Sequence, residues 1–256
     1  MKIYPLKSIP LAVLTIAIAS SAQAAGLTNL SEGFDNVSGL PPAWAFVNNS
    51  SPPPLIPPAT WTQGDTNISN FAGQSGGINS FTQVGITSTS ADTGGTVNNW
   101  LITPELDFSG GGTLSFFART FLGNTRAEYI EVRQSTAGDS TDVGTSATSV
   151  GDFTSLIGTV GSLDAEISPG GSFPGALPSN NAWALFTFTI SPTAGSGRLA
   201  FRYFATDGGV NGTQAQYAAL DSVNYTAVPE PTSIAGLLMI GGVATAYRLR
   251  KKVVKA

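Results

Sequence analysis

Apolar and polar positions alternate with a period of two at several places between residues 30 and 227. In "WALFTFTI", Phe186, Phe188 and Ile190 point one way and Thr187 and Thr189 the other. In "RLAFRYFAT", Leu199, Phe201 and Tyr203 share a face, with Arg198 and Arg202 opposite. "TLSFFAR" groups Leu114, Phe116 and Ala118, and "EYIEVRQ" sets Ile130 and Val132 against Glu131 and Arg133. "YAALDSVNYT" supplies a last strand. Half-buried antiparallel strands produce this pattern. No stretch here keeps a 3.6-residue apolar period. Many short strands joined by Gly-, Ser-, Thr-, Asn- and Pro-rich segments predict an all-β, antiparallel, jelly-roll-like β-sandwich. Between strands, "NNSSPPPLIPP" (Asn48 to Pro58) reads as a polyproline-like surface loop. Ser135 to Asp152 reads as a long flexible loop with three solvated Asp residues, since Asp139 and Asp142 lack the Gly and distal Glu of an EF-hand.

Both ends read differently from the body. Lys2 and Lys7 precede an apolar run, Ile9 to Ala19, and then Ala22-Gln23-Ala24. This is the form of a secretory signal peptide over residues 1–24, read by the Sec machinery and signal peptidase, with cleavage after Ala24. At the other end, Ser233 to Tyr247 carries no charge. As a helix it reaches about 22 Å, at about 1.5 Å per residue, against roughly 30 Å of hydrocarbon. The stems of Arg248, Arg250, Lys251 and Lys252 extend that reach. A single short transmembrane helix is predicted over 233–247. Its basic tail lies on the cytoplasmic side and the body, residues 25–227, outside the cytoplasm.

Pro229-Glu230-Pro231, a short apolar helix and a basic tail, in that order, resemble the PEP-CTERM sorting signal of Gram-negative bacteria, here residues 228–256. The resemblance implies recognition by an exosortase, a membrane transpeptidase that cuts near Pro-Glu-Pro. It also implies passage through an inner-membrane intermediate to the cell surface or extracellular matrix. A barely sufficient span suits a temporary handle.

Composition narrows the chemistry. Between residues 25 and 228 there are five arginines and 15 acidic residues, a net charge of −10. Such a body is not drawn to nucleic acid or anionic lipid, which take basic patches. The chain has no Cys and no His, so thiolate and imidazole zinc sites and Ser-His-Asp or Cys-His catalysis are out of reach. With no Lys in the body, Schiff-base chemistry is also out.

"EGFDN" at Glu32, "NNWLITPELDFSGGGTLSFFAR" at Asn98 to Arg119 and "YAALDSVNYT" at Tyr217 to Thr226 occur in an order similar to the choice-of-anchor J type domain, related to cleaved-adhesin and MAM-like folds. The resemblance spans roughly residues 30–226. It implies an adhesion-like sandwich without catalytic apparatus. Some relatives hold structural calcium where the first and last strands meet. The matching carboxylates here are Glu32, Asp35 and Asp221; the alternative is that Asp221 hydrogen-bonds a neighbouring loop.

Two carboxylate pairs, Glu105 with Asp107 and Glu128 with Glu131, invite comparison with glycosidases. The first lies too close in sequence to define a cleft, and the second faces opposite sides. Trp100 and Trp183 begin apolar strands and are expected in the core. Trp44 and Trp61 flank the proline-rich loop and are the surface candidates for stacking on sugars. The sequence thus predicts a non-enzymatic, exported surface or matrix protein associated with adhesion, exopolysaccharide or biofilm. The alternatives are a lectin-like module and, third, a carboxylate-dependent hydrolase. No cofactor is expected apart from that calcium.

Overall fold

Leu114, Phe116 and Ala118 face inward from one strand, and Leu199, Phe201 and Tyr203 from another; these two sets meet as the centre of the core. The rings of Phe116 and Phe201 pack edge to face at 4.9 Å. The computed structural model describes residues 26–41, 43–57, 59–120, 124–161 and 183–229 of the 256. In chain order the strands are β1 (Asn29–Glu32), β2 (Ala45–Asn48), β3 (Thr62–Gln63), β4 (Thr82–Gly85), β5 (Gly95–Ile102), β6 (Leu106–Asp107), β7 (Gly112–Arg119), β8 (Tyr129–Ser135), β9 (Ser155–Gly161), β10 (Ala184–Ile190), β11 (Ser196–Gly208) and β12 (Tyr217–Ala227). A single helical turn, α1 (Thr66–Ser69), is capped by the Asp65 carboxylate, which accepts from the Asn67 amide.

The strands form two sheets in which all pairings are antiparallel. Sheet I runs β10-β7-β12-β4-β3, with β1 also on β12; sheet II runs β2-β5-β11-β8-β9, with β6 on β11. Their inner faces enclose the main core, which is the architecture of a β-sandwich. The period-two readings of β7, β8, β10 and β11 match the inward and outward faces observed.

Three expectations change. Ser135 to Asp152 is not a free loop. It folds over the outer face of sheet II and places Val143 and Phe153 on Trp100, with ring centroids of Trp100 and Phe153 5.7 Å apart. Arg198 and Arg202, on the face opposite Leu199, Phe201 and Tyr203, are therefore buried beneath it. Trp100 is buried as expected, in this second core cluster outside sheet II, whereas Trp183 is only half-buried, on the outer face of sheet I against Phe71 and Phe81. The proline-rich stretch is a surface loop, but it bends at Leu55 to Pro57 instead of continuing extended. Thr89 and Ser90 pin it by donating to the Pro52 and Pro53 carbonyls.

No helix among the described residues is long and apolar enough to cross a membrane. The signal peptide, Glu230, Pro231, the predicted span 233–247 and its basic tail lie outside the described residues. Pro229 is exposed just beyond β12, after Val228, whose amide donates to the Gly111 carbonyl at 2.9 Å.

Candidate functional site

β12 changes partner part-way along its length. Its first residues, Tyr217 to Leu220, pair with β4, and its later ones, Val223 to Thr226, pair with β1. At the changeover its register on β7 slips between Asp221 and Asn224, a bulge with Ser222 at φ 51°. β1 and β4 thus leave a gap along one side of β12, and the 73–80 loop crosses it. The result is a pocket of about 200 Å³. Glu32 and Asp35 line it with Ser31, Gly76, Ser222 and Asn224.

The loop is fixed in place. The Gly73 amide donates to the Ile78 carbonyl at 3.0 Å and the Gly77 amide to Ser80 Oγ at 2.7 Å. Gly76 sits at φ 75°, and a Cβ there would lie 2.7 Å from Asp35 Oδ1. Phe34, beside the lining residues Gly33 and Asp35, is also left-handed at φ 53°, while its ring is buried in the core. Left-handed backbone at a non-glycine residue costs on the order of 1–3 kcal/mol and persists where surrounding contacts over-determine it. Phe34 and Ser222 place two such residues at this pocket.

Asp221 is fully buried beside the pocket and is already engaged. Its Oδ2 accepts from the amides of Gln74 at 2.7 Å and Ser75 at 3.2 Å, and the Ser222 hydroxyl donates to Oδ1. Burial lifts its carboxyl above the usual carboxylate range, against the pull of those amides. Donors aimed at an oxygen compete with a cation for it. The carboxylates expected to hold calcium, Glu32, Asp35 and Asp221, are therefore not presented as a set. Asp221 ties the loop to β12, while Glu32 and Asp35 face the pocket. Glu32 Oε1 accepts from the Phe34 amide at 2.8 Å. Calcium takes six to eight oxygens. No group of three or more acidic residues among those described is arranged to hold a metal.

The tryptophans expected to offer a stacking surface do not. Trp44 is 6% exposed and Trp61 2%. Trp44 packs edge-on to Phe34 at 5.6 Å and Trp61 to Tyr203 at 6.4 Å, so both fill the inter-sheet core. Neither has a free ring face for a sugar.

The carboxylate pairs are also committed elsewhere. Glu105 accepts from the Ser196 hydroxyl, and Asp107 from the amide and hydroxyl of Ser109. Glu131 lies between Arg133 and Arg202, the latter at 3.0 Å. Glu128 is buried, accepting from Tyr203, Asn124 and the amides of Gln216 and Tyr217.

Sequence reasoning picked out Glu32 and Asp35 but missed Ser31, Gly76 and Asn224. The signal was present as the glycine-rich "GQSGG" before β4, a loop that comes to lie against β12.

No protein-family model matches the chain, and no curated protein matches it. Solved structures do. The K1 cleaved adhesin domain of Lys-gingipain from Porphyromonas gingivalis W83 superposes with a TM-score of 0.53 and 23% identity, over 79% of this chain and 99% of that one. The K3 domain of the same protein gives 0.50 and 22%, over 79% and 99%. The K2 domain gives 0.50 and 17%, over 77% and 99%. The body has the fold of a cleaved adhesin domain.

Proposed function

We propose that this chain is an exported, non-enzymatic surface or matrix protein whose sandwich mediates adhesion to extracellular polysaccharide. The N-terminal signal delivers it across the inner membrane. The Pro229-Glu230-Pro231 motif, the short helix and the basic tail hand it to an exosortase, which releases the body outward. The reading is supported by one juxtaposition: a cleaved-adhesin fold is flanked in sequence by a stretch with the form of an export signal and by Pro229-Glu230-Pro231, an uncharged run and a basic tail that resemble a sorting signal. The commitment of Glu105, Asp107, Glu128 and Glu131 to structural hydrogen bonds argues against an acid–base pair. Fractionation of the native host tests the sorting step. Glu230→Ala, or loss of residues 233–256, leaves export intact and changes the final compartment. A variant that fractionates like the parent overturns the reading.

A further inference from the structure

Sheet I has an outer face that is partly covered and partly open. Phe71, Phe81 and Trp183 cover the end near Arg119 and Tyr217. Beyond them the register sets two rows of side chains across four strands. Ser31 of β1 pairs with Asn224 of β12, Asn224 with Ser115 of β7, and Ser115 with Thr187 of β10. One step along, Asn29, Thr226, Thr113 and Thr189 pair in the same way. The row between them, Leu30, Tyr225, Leu114 and Phe188, points into the core. Alternation thus turns eight short polar side chains outward, and every one except the half-buried Ser115 is exposed.

Two properties distinguish this face. It carries no charge, in a body of net −10. Also, six of its hydroxyls, on Ser31, Thr113, Ser115, Thr187, Thr189 and Thr226, have no hydrogen-bond partner among the described residues. The outer face of sheet II, by contrast, is roofed by Val143 and Phe153.

The face runs into the pocket. Ser31 and Asn224 belong to both, and Glu32 and Asp35 line the pocket with them. We propose that the pocket and the open face together bind a neutral, hydroxyl-rich polysaccharide. This rests on the adhesion reading above and names its site and ligand class. Hydroxyls and primary amides both donate and accept, as sugar hydroxyls do. The two carboxylates accept from sugar hydroxyls, and such charge-assisted bonds are about twice as strong as neutral ones. Their charge, and that of the body, repels uronates and other polyanions. Strands lie about 4.8 Å apart and outward side chains repeat about every 6.8 Å along each. An extended glycan crossing the strands therefore meets fresh hydrogen-bonding groups at every strand. Phe117 and Leu185, paired one step further along, give an apolar shelf for sugar C–H faces. A second copy of the chain is disfavoured as occupant because it brings the same negative charge.

The test is retention of the purified full chain on immobilised dextran, galactomannan and hydroxyethylcellulose, with alginate as the polyanion. At least one neutral polymer is expected to retain it, and alginate is not. Asp35→Asn and the double variant Thr113→Val/Thr187→Val each weaken retention about tenfold or more, the scale of losing one or two such bonds. Thr159→Val, at an exposed position of β9 in the other sheet, changes nothing. Thr187→Glu places a charge on the face without emptying the core, and it also abolishes retention. If the parent binds and these variants bind equally, the face is wrong and the adhesion reading stands. If no neutral polymer retains the parent, or alginate does so best, the neutral-glycan proposal falls, while the sorting reading keeps its own fractionation test. If the parent sediments as a dimer that Thr187→Glu dissociates, the face is a self-association surface and the proposal is overturned.

Discussion

Tyr203 donates its hydroxyl hydrogen to Oε2 of Glu128, and both groups are buried between the sheets. Oε1 accepts from Asn124 Nδ2 at 3.0 Å and from the amides of Gln216 and Tyr217, each at 2.9 Å. One carboxyl group thereby joins the approach to β8, the middle of β11 and the start of β12. Burial pushes it up from an ordinary 4.5 to about 8, against those four donors. The folded state then holds a proton that the unfolded state releases near 4.5. This contribution to stability is fully present below about 4.5 and is lost as pH rises toward 8. Melting temperatures between pH 5 and 8 are expected to fall with pH in the parent and to flatten in Glu128→Gln. Equal slopes contradict the assignment.

Glu131 has the opposite sign. Burial pushes its carboxyl up, but hydrogen bonds from Arg133 and Arg202 outweigh this and hold it below the usual range. Its contribution is present above the ordinary carboxylate pKa and is lost as pH falls. Glu131→Ala leaves Arg202 buried without its counter-charge, at a cost of about 3–5 kcal/mol in chemical denaturation. A loss below about 1 kcal/mol, the scale of an exposed surface pair, contradicts the account.

Trp44 and Trp61 act through the core. Trp61→Ala is expected to lower stability by about 3–5 kcal/mol. In glycan-retention assays it reduces binding only in proportion to the folded fraction. Selective loss of binding with unchanged stability places the ring at a ligand surface instead.

Asp221 acts as a loop staple. Asp221→Ala frees the amides of Gln74 and Ser75 and costs about 1–3 kcal/mol. Because its oxygens are already occupied by donors, chelator or millimolar calcium shifts the melting temperature of the parent by less than about 2 °C. A larger calcium-dependent rise shows that the pocket residues assemble around the ion.

The strand faces were legible wherever burial alternates, as in β7, β8, β10 and β11, because one face of each meets the opposite sheet. The roof over sheet II was not. Val143 and Phe153 stand in a stretch of Ser, Thr, Gly and Asp whose turns use left-handed glycines at 138, 144 and 151. Two apolar residues that far apart show no period. Trp44 and Trp61 lie just before short strands, so no alternation assigned them a side. Glu32 and Asp35 were picked out, with Asp221, through the resemblance carried by "EGFDN" and the last strand. The pocket itself comes from the partner change of β12 and its bulge at Ser222, which is a matter of register between distant segments. The outward Ser, Thr and Asn residues could be read strand by strand, but their alignment into rows required the pairing.

The central claim is that the body works outside the membrane once its C-terminal handle is removed. The most direct measurement is the intact mass of the mature protein from its native host, with peptide mapping of its C-terminus. The account predicts an N-terminus at Ala25 and a C-terminus between Val228 and Pro231, with or without an added group. A mature chain that still ends at Ala256 contradicts it and makes residues 233–247 a permanent, short anchor.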